Sequence, residues 1–452
     1  MNTASHSTRR CGRSTSSAQR TCRRPRWSSS SRPTPTRRTA SRASARSDLF
    51  PPPAQLRRRC TPTTASGVTS CRCAPSATAS GRALGPERPT RRHQAWSCEQ
   101  DPPAKCDDPF MTVSTPGLVC AHHHLYSALA RGMPAPPRTP GGFQEILELV
   151  WWRLDLALDL EAIEWSAKLG ALEALERGTT AIIDHHESPN AIEGSLSVIA
   201  GACQEVGVRI SCAYGVTDRH GPEGAAAGLA ENDRFLGDGE REGYVGLHAA
   251  FTCSDDTIAA AAELARKHDV GVHVHVAEGD ADTWQRLVDH SDDDWLIVHG
   301  VHLPDDHGLR GTLVHNPRSN MNNSVGYARP ARFDLPIALG TDGIGADMLE
   351  EFRLAYAAAR ADDVTATPDR AWGWLQNGWD LMPTALDDRV FWAVESADPW
   401  HLAFTPGTSP LEVEVDGEVV WDGEPTLVDG DEIRAKATEA ATKLHARLAA
   451  LD

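Results

Sequence analysis

The chain has 452 residues, of which 24% are charged, and a formal net charge of −17 at pH 7. This length is sufficient to bury the core of one large α/β domain with additional elements. No stretch approaches the roughly 18 consecutive apolar residues that a membrane helix needs, so neither a transmembrane helix nor a membrane partner is predicted.

The charge is distributed unevenly along the chain. Residues 1–110 contain 21 Lys and Arg against 6 Asp and Glu, whereas the following 342 residues contain 24 basic and 56 acidic side chains. The first segment has few Ile, Val or Leu and no apolar period, so we predict that it is disordered. A basic tail that binds nucleic acid is the alternative.

The composition of residues 1–110 also resembles translation of a GC-rich gene in the wrong frame, because Ser, Thr, Arg, Pro and Cys dominate it. We therefore hypothesise that authentic sequence begins near Met111. The other two reading frames upstream of that codon test this hypothesis. It fails if neither frame encodes a β-rich segment that leads into Val113.

Cysteine usage and the absence of an export signal predict a cytoplasmic protein. Arg23 and Arg24 resemble a twin-arginine signal, but no apolar segment follows them. The cysteines after residue 110 are scattered, as expected of reduced, buried thiols. They are Cys120, Cys203, Cys212 and Cys253.

From Pro116 onward, β-like segments alternate with helical patterns, which indicates a parallel sheet. Eight such units over about 230 residues predict a closed (β/α)₈ barrel, which we assign to residues 111–360. One long helix is predicted from Phe143 to Leu175. The β-like segments begin at Pro116 and continue at 179–186, 208–221, 244–252, 270–278, 295–303, 312–320 and 336–343.

Polar residues cluster at the carboxyl ends of these segments, where active sites of barrels are built. The first segment ends in three histidines. In a strand, His122 and His124 point to one face while His123 points away, so two imidazoles converge as metal ligands do. Further His, Asp, Asn or Glu residues end nearly every later strand, which predicts an enzyme with a metal.

The spaced motifs together resemble the amidohydrolase superfamily, in its aminohydrolase and triazine-hydrolase branch, and most closely the SsnA-type aminohydrolases. The resemblance covers about residues 116–356. It rests on His122-x-His124, His275-x-x-Glu278, His299 and Gly-Thr-Asp342-Gly. It extends to AHHHLYSALARGM, TTAIIDHHESPN, VTDRHG, HNPRSNMNNSVGYA and GTDGIGADMLEEF.

The resemblance implies one divalent metal ion, with Zn²⁺ preferred and Fe²⁺ as the alternative. Its ligands would be His122, His124, His275 and Asp342. In such a site the metal lowers the pKa of a water molecule. The proton would pass to Asp342 and be shuttled by Glu278, while His299 would polarise the water or the developing oxyanion.

Other positions are assigned to substrate or remain open. His248 is predicted to contact substrate, Asp218 to bind a polar edge of it, and Asn320 to line the pocket. The alternatives are a loop ion pair for Asp218 with Arg219 and a turn-forming role for Asn320. His273 faces the same way as His275 and is the alternative ligand.

The metal count follows from a missing side chain. Binuclear members of the superfamily bridge their metals with a modified lysine on the fourth strand, and YVGLHAAFT at 244–252 contains none. A mononuclear site is therefore predicted. No cysteine occupies a ligand position, which distinguishes this chain from the His/Cys zinc deaminases that act on nucleic acid.

The C-terminal region, 361–452, is predicted to supply part of a small β-domain. Residues 411–423 form a hairpin pattern with Asp416-Gly417 as its turn. A closing helix follows, with Ile433, Ala437, Leu444, Leu448 and Leu451 on one side. Members of the superfamily complete this domain with N-terminal strands, which residues 1–110 cannot supply, so exposed sheet edges are expected.

The resulting functional prediction is a metal-dependent aminohydrolase that removes an amino group from a purine, pyrimidine or pterin-like heterocycle. A chlorohydrolase acting on a halogenated heterocycle and a catalytically inert, amidohydrolase-like binding protein are the alternatives. A small-molecule substrate and a homo-oligomer are expected, and no nucleic-acid partner.

Overall fold

The computed structural model describes residues 113–239 and 242–451 of the chain. The predicted disorder of residues 1–110 and the proposed start at Met111 lie outside this part. No helix within the described ranges is long and apolar enough to cross a membrane.

Twelve strands are present in the described ranges, and eight of them, β2–β9, run parallel in sequence order. All eight predicted segments contain a strand. In chain order the strands are β1 (Val113–Thr115), β2 (Leu118–His123), β3 (Thr179–His186), β4 (Arg209–Tyr214), β5 (Val245–Ala249), β6 (Val272–Val276), β7 (Leu296–His299), β8 (Thr312–His315), β9 (Ile337–Leu339), β10 (Arg389–Trp392), β11 (Pro410–Val415) and β12 (Glu418–Trp421).

The eight parallel strands close into a barrel. Strands β2–β4 and β5–β9 form two continuous ladders. Bridges between Cys212 and Gly243, and between Val216 and Leu247, join β4 to β5. A bridge between His123 and Asp342 joins β2 to the residues that follow β9. The predicted (β/α)₈ architecture is therefore confirmed.

Most of the helices cover the outside of the barrel and its lower end, and the first two lie at its mouth. They are α1 (Phe143–Ile146), α2 (Trp152–Ala157), α3 (Leu160–Leu175), α4 (Ser195–Val206), α5 (Gly221–Leu236), α6 (Asp255–His268), α7 (Pro317–Asn322), α8 (Met348–Asp362), α9 (Pro368–Gln376), α10 (Gly378–Leu381), α11 (Pro399–Phe404) and α12 (Gly430–Ala449).

The prediction of one helix from Phe143 to Leu175 is wrong. A π-helical turn, Leu147–Trp151, joins α1 to α2, and the chain then becomes extended at Leu158. The side chain of Asp159 accepts a hydrogen bond from the backbone N–H of Ala162 and so begins α3 as a separate helix. The apolar period alone does not reveal this cap. The break directs α1 and α2 over the barrel mouth.

Apolar side chains fill both faces of the barrel wall. Inside the barrel, residues such as Val119, Ile183 and Val298 pack together, and Met382 from the segment after α10 closes the bottom. Outside, a larger cluster packs the strands against the helices. With both faces buried, the carboxyl ends of the strands are the part of the barrel left for polar groups.

A four-stranded antiparallel sheet, in the order β1-β10-β11-β12, lies beside the barrel. The predicted hairpin is confirmed: Val415 pairs with Glu418, and Asp416 and Gly417 both have positive φ, as a two-residue turn requires. On the N-terminal side, β1 contributes three residues that pair with β10. Within the described residues, the outer edge of β1 has no strand partner.

The closing helix α12 packs against α3 and α2 as its apolar side predicts. Ile433, Ala437, Leu444 and Leu448 are buried, but Leu451 is exposed because it follows the end of the helix. The inclusion of Leu451 on the buried side is therefore wrong.

Candidate metal centre and active site

Four side chains at the carboxyl ends of the barrel strands bring nitrogen and oxygen atoms to one point. The nitrogens of His122, His124 and His275 lie within 4.8 Å of one another. Asp342 extends from the turn after β9, and its Oδ1 lies 3.1 Å from Nε2 of His124 and 3.6 Å from Nε2 of His122. The four predicted ligands therefore lie together.

Backbone carbonyls orient two of these imidazoles. Nδ1 of His124 donates to the carbonyl of His185 at 2.5 Å, and Nδ1 of His275 donates to the carbonyl of His248 at 2.7 Å. A carbonyl can only accept, so Nδ1 holds the proton in each neutral ring and Nε2 faces the centre. The two Nε2 atoms are 3.3 Å apart. This is the way in which metal-binding histidines are usually fixed.

His122 is oriented by a histidine outside the predicted ligand set, His273. Its Nδ1 lies 2.9 Å from Nε2 of His273, while its own Nε2 is buried without a hydrogen-bond partner. The register of β2 shifts between Cys120 and His123, so that Ala121 and His122 both face the barrel interior. The geometry places His275, and not His273, in the nitrogen cluster, and His273 behind His122.

The donor set fits a divalent cation. Burial holds the pKa of His122 and of His275 well below its usual range, so both rings are neutral. Burial also lowers the pKa of His124, but the Asp342 carboxylate outweighs this effect and raises it to about 9. A proton on His124 occupies the position where a cation would sit, and an N₃O set with an orphaned buried Nε2 suits Zn²⁺.

The two turns that hold the site are conformationally strained. Asp342 and His299 have φ values of 57° and 73°, in the left-handed region that non-glycine residues rarely occupy. The backbone N–H of Asp342 donates to the carbonyl of His122 at 3.1 Å. The hydroxyl of Ser319 also donates to Oδ2 of Asp342. These bonds keep the carboxylate aimed at the cluster.

Glu278 and His299 lie next to the cluster. Nε2 of His299 is 3.4 Å from Oε2 of Glu278 and 3.8 Å from Oδ2 of Asp342. The amide of Asn323 donates to Oε1 of Glu278 at 3.2 Å. Burial raises the pKa of Glu278 to about 7, although His299 opposes the shift. A carboxyl with such a pKa can accept and return a proton near neutral pH.

A cavity opens above these residues. Its base contains His124, His275, Glu278, His299 and Asp342, and its walls are largely aromatic and apolar. The side chains that form the walls include Phe143, Leu147, Trp151, Trp152, His248, Phe251 and Ile344.

The three predicted substrate contacts are placed differently. His248 lines the cavity wall. Asp218 does not; its carboxylate accepts a hydrogen bond from the backbone N–H of Ser254 at 2.7 Å, at the start of α6. Asn320 is buried behind the wall, where its Oδ1 lies 2.9 Å from Nδ1 of His299. The structure therefore brings only His248 to the cavity.

The carboxylates in the cavity wall that are not predicted from the sequence include Asp155 on α2 and Glu187 just after β3. Arg219 pairs with both of them. Position could have revealed Glu187, because it directly follows the polar end of a barrel strand, as the other site residues do. Asp155 gives no such signal, since it lies within an apolar helical pattern.

Comparison with known proteins places this geometry in a family. Residues 113–371 match the profile of the Amidohydrolase family. The chain belongs to that family. The assignment makes it a metal-dependent hydrolase that acts on carbon–nitrogen bonds other than peptide bonds, as predicted.

Curated relatives of this amidohydrolase include two named deaminases. A 5'-deoxyadenosine deaminase from Methanopyrus kandleri is 27% identical over 384 residues, which cover 74% of this chain and 86% of the relative. An 8-oxoguanine deaminase from Pseudomonas aeruginosa is 30% identical over 333 residues, covering 62% and 72%.

Solved structures with the same fold include zinc-containing proteins. An adenosine deaminase from Xanthomonas campestris with bound zinc superposes with a TM-score of 0.63 at 20% identity, covering 74% of this chain and 86% of that one. An atrazine chlorohydrolase from Arthrobacter aurescens, complexed with zinc, gives 0.62 at 21% identity, covering 73% and 88%. At these identities the likeness supports the fold of the amidohydrolase.

Proposed function

We propose that this amidohydrolase deaminates a nitrogen heterocycle of the purine, pyrimidine or pterin type, with one zinc ion, or alternatively iron, held by His122, His124, His275 and Asp342. The observation that carries the proposal is the convergence of those four side chains at the base of a cavity that also contains Glu278 and His299. The deaminases among its relatives support the same reaction class.

The bound metal would supply a water molecule with a lowered pKa. Asp342 lies at the base of the cavity and accepts a proton from the attacking water. His299 is oriented so that Nε2 faces Glu278 and Asp342, where it polarises the water or stabilises negative charge that develops at the reacting carbon's oxygen.

Glu278 transfers protons to the substrate. Its raised pKa allows it to protonate a ring nitrogen as water adds to the ring carbon. Glu278 then recovers the proton that Asp342 took from the water and gives it to the amino group as it leaves, and the hydroxyl proton of the adduct returns to Glu278 as the C=O bond forms. One water is consumed, the C–N bond breaks, a C–O bond forms, and ammonia is released. The contact with Asn323 holds the carboxyl in reach of the cavity.

Ammonia release from a panel of nucleobases, nucleosides and pterins tests this function. Zinc-loaded wild-type protein should deaminate at least one compound, and Glu278→Gln should lose about 10²–10⁴ of that rate while keeping its zinc. Unchanged turnover in Glu278→Gln would refute the proton-transfer role. Release of chloride from chlorinated heterocycles without ammonia would identify dehalogenation instead, and no turnover at all with full zinc would favour an inert binding protein.

A further inference from the structure

The cavity wall contains a cluster of buried charged side chains that the proposed chemistry does not use. We define the acidic wall as Asp155, Glu187 and Arg219. Asp155 is 2% exposed and Glu187 is 4% exposed, and both line the cavity. Groups this polar are seldom buried unless they are paired or bind something.

Arg219 is held by several contacts within the protein. Its guanidinium pairs with Glu187 and lies 3.7 Å from Oδ2 of Asp155. Its Nε donates to the hydroxyl of Thr217 at 3.2 Å, and its plane stacks 4.4 Å from the ring centre of Trp152. Arg219 is absent from the cavity lining, so the cavity meets the two carboxyls rather than the cation.

One acceptor in the acidic wall has no partner. Oδ1 of Asp155 is buried and makes no hydrogen bond within the protein. Leaving such an atom unpaired is unfavourable, and a ligand that donates a hydrogen bond to it would remove this cost. Burial also raises the pKa of both carboxyls; Glu187 adds to the rise at Asp155, whereas Arg219 opposes the rise at both. An anionic ligand would therefore meet two carboxyl groups crowded together, whose neighbouring cation is already paired and lies outside the cavity lining.

We propose that the acidic wall determines specificity by accepting hydrogen bonds from a neutral or cationic substituent of the substrate, and that it rejects anionic substituents. Glu187 and Asp155 are the specificity-determining residues, and Arg219 is a positioning residue that holds them. His248 borders the same wall, with its Nε2 3.6 Å from Oε1 of Glu187. The proposal rests on the proposed function, since it names the substituent carried by the heterocycle.

The donors could come from sugar hydroxyls of a nucleoside or from N–H and hydroxymethyl groups of a free heterocycle. Both sources present the same chemistry to the two carboxyls. If the donors are sugar hydroxyls, removal of these groups from a nucleoside should weaken its binding. A free heterocycle has no such groups, so this measurement distinguishes the two sources.

Binding without turnover tests the proposal independently of catalysis. The background is zinc-loaded Glu278→Gln protein, and the readout is the Kd measured by calorimetry. 6-Hydroxymethylpterin and pterin-6-carboxylate form one matched pair, which differs in the charge of one substituent. Adenosine and 2',3'-dideoxyadenosine form the other pair, which differs in the donors.

The background protein should bind at least one donor-bearing ligand, and it should bind the hydroxymethyl pterin at least about tenfold more tightly than the carboxylate. Adding Asp155→Asn and Glu187→Gln frees Arg219, so the preference between the two pterins should reverse. Adding Glu223→Gln, an exposed change on α5, should leave the preference unchanged.

If the double substitution changed the ratio of the two pterin Kd values by less than about twofold, the proposal would be overturned. A background that prefers the carboxylate, or that binds neither 6-hydroxymethylpterin nor adenosine, would also overturn it. Zinc content and melting temperature of the double variant establish that it is folded, and Arg219→Lys provides a milder second test that should weaken the preference. Failure of the proposed function would appear separately, as an absence of ammonia release from wild-type protein.

Discussion

The side-chain carbonyl of Asn320 lies 2.9 Å from Nδ1 of His299, whereas Glu278 and Asp342 lie near Nε2, the other ring nitrogen. This contact places the ring proton on Nδ1 and leaves Nε2 facing the reacting groups. A residue assigned from sequence to the substrate is therefore placed to orient a second residue of the site.

Asn320→Ala should reduce kcat by about 10–100-fold while zinc content is retained, because His299 loses the partner that fixes its tautomer. KM should change little, since Asn320 does not line the cavity. Steady-state kinetics on the substrate found in the panel measure both constants. Asn190→Ala, at an exposed position, is the control. A rise in KM with kcat unchanged would restore the substrate-binding assignment.

Metal binding should release a proton near neutral pH. In the metal-free site the Asp342 carboxylate raises the pKa of His124 to about 9, against the effect of burial, so His124 is protonated below that pH. The metal must displace this proton, and zinc affinity should therefore rise by about tenfold per pH unit between pH 6 and about 8. Calorimetry in buffers of different ionisation enthalpy counts the protons released. A zinc affinity independent of pH would contradict the arrangement.

Glu351 supports the helix that carries Ser319 and Asn320. Its carboxylate is fully buried and accepts a hydrogen bond from Nε of Arg318 at 2.8 Å. Burial raises its pKa to about 7, with Arg318 opposing the shift. Between pH 4.5 and about 7 the folded state thus holds a proton that the unfolded state releases. The contribution of Glu351 to the free energy of unfolding therefore falls as pH rises through this window.

Glu351→Gln removes that titration. Relative to wild type, the variant should gain about 3 kcal/mol in the free energy of unfolding on going from pH 4.5 to pH 7. Urea unfolding at the two pH values measures the difference. Glu350→Gln, on the exposed side of α8 next to Glu351, should show a much smaller change. If the free energy of unfolding changed equally in wild type and Glu351→Gln between these pH values, the raised pKa of Glu351 would be contradicted.

The position of the site was predictable because strand order alone determines it. Once β and α segments alternate, the ends of β2, β6 and β7 must meet at one mouth, so His122, His275 and His299 could be placed together without coordinates. The H-x-x-E spacing likewise placed Glu278 just beyond its strand.

Side-chain direction was not predictable in the same way. Asp218 and Asn320 follow strand ends, as ligands do, but local turns direct them toward the N-terminus of α6 and toward His299. Asp155 lines the cavity because α2 ends before Leu158, where the chain becomes extended, instead of continuing into α3. Such turns depend on individual hydrogen bonds, which apolar periodicity does not encode.

Ammonia release by the purified protein, measured as isolated, after chelation, and after zinc is restored, tests metal-dependent deamination most directly. We expect near-stoichiometric metal, loss of turnover on chelation, recovery with zinc, and neither zinc retention nor recovery in His122→Ala. Turnover that persists in the metal-free protein, or in His122→Ala without bound metal, would contradict the assignment of this site.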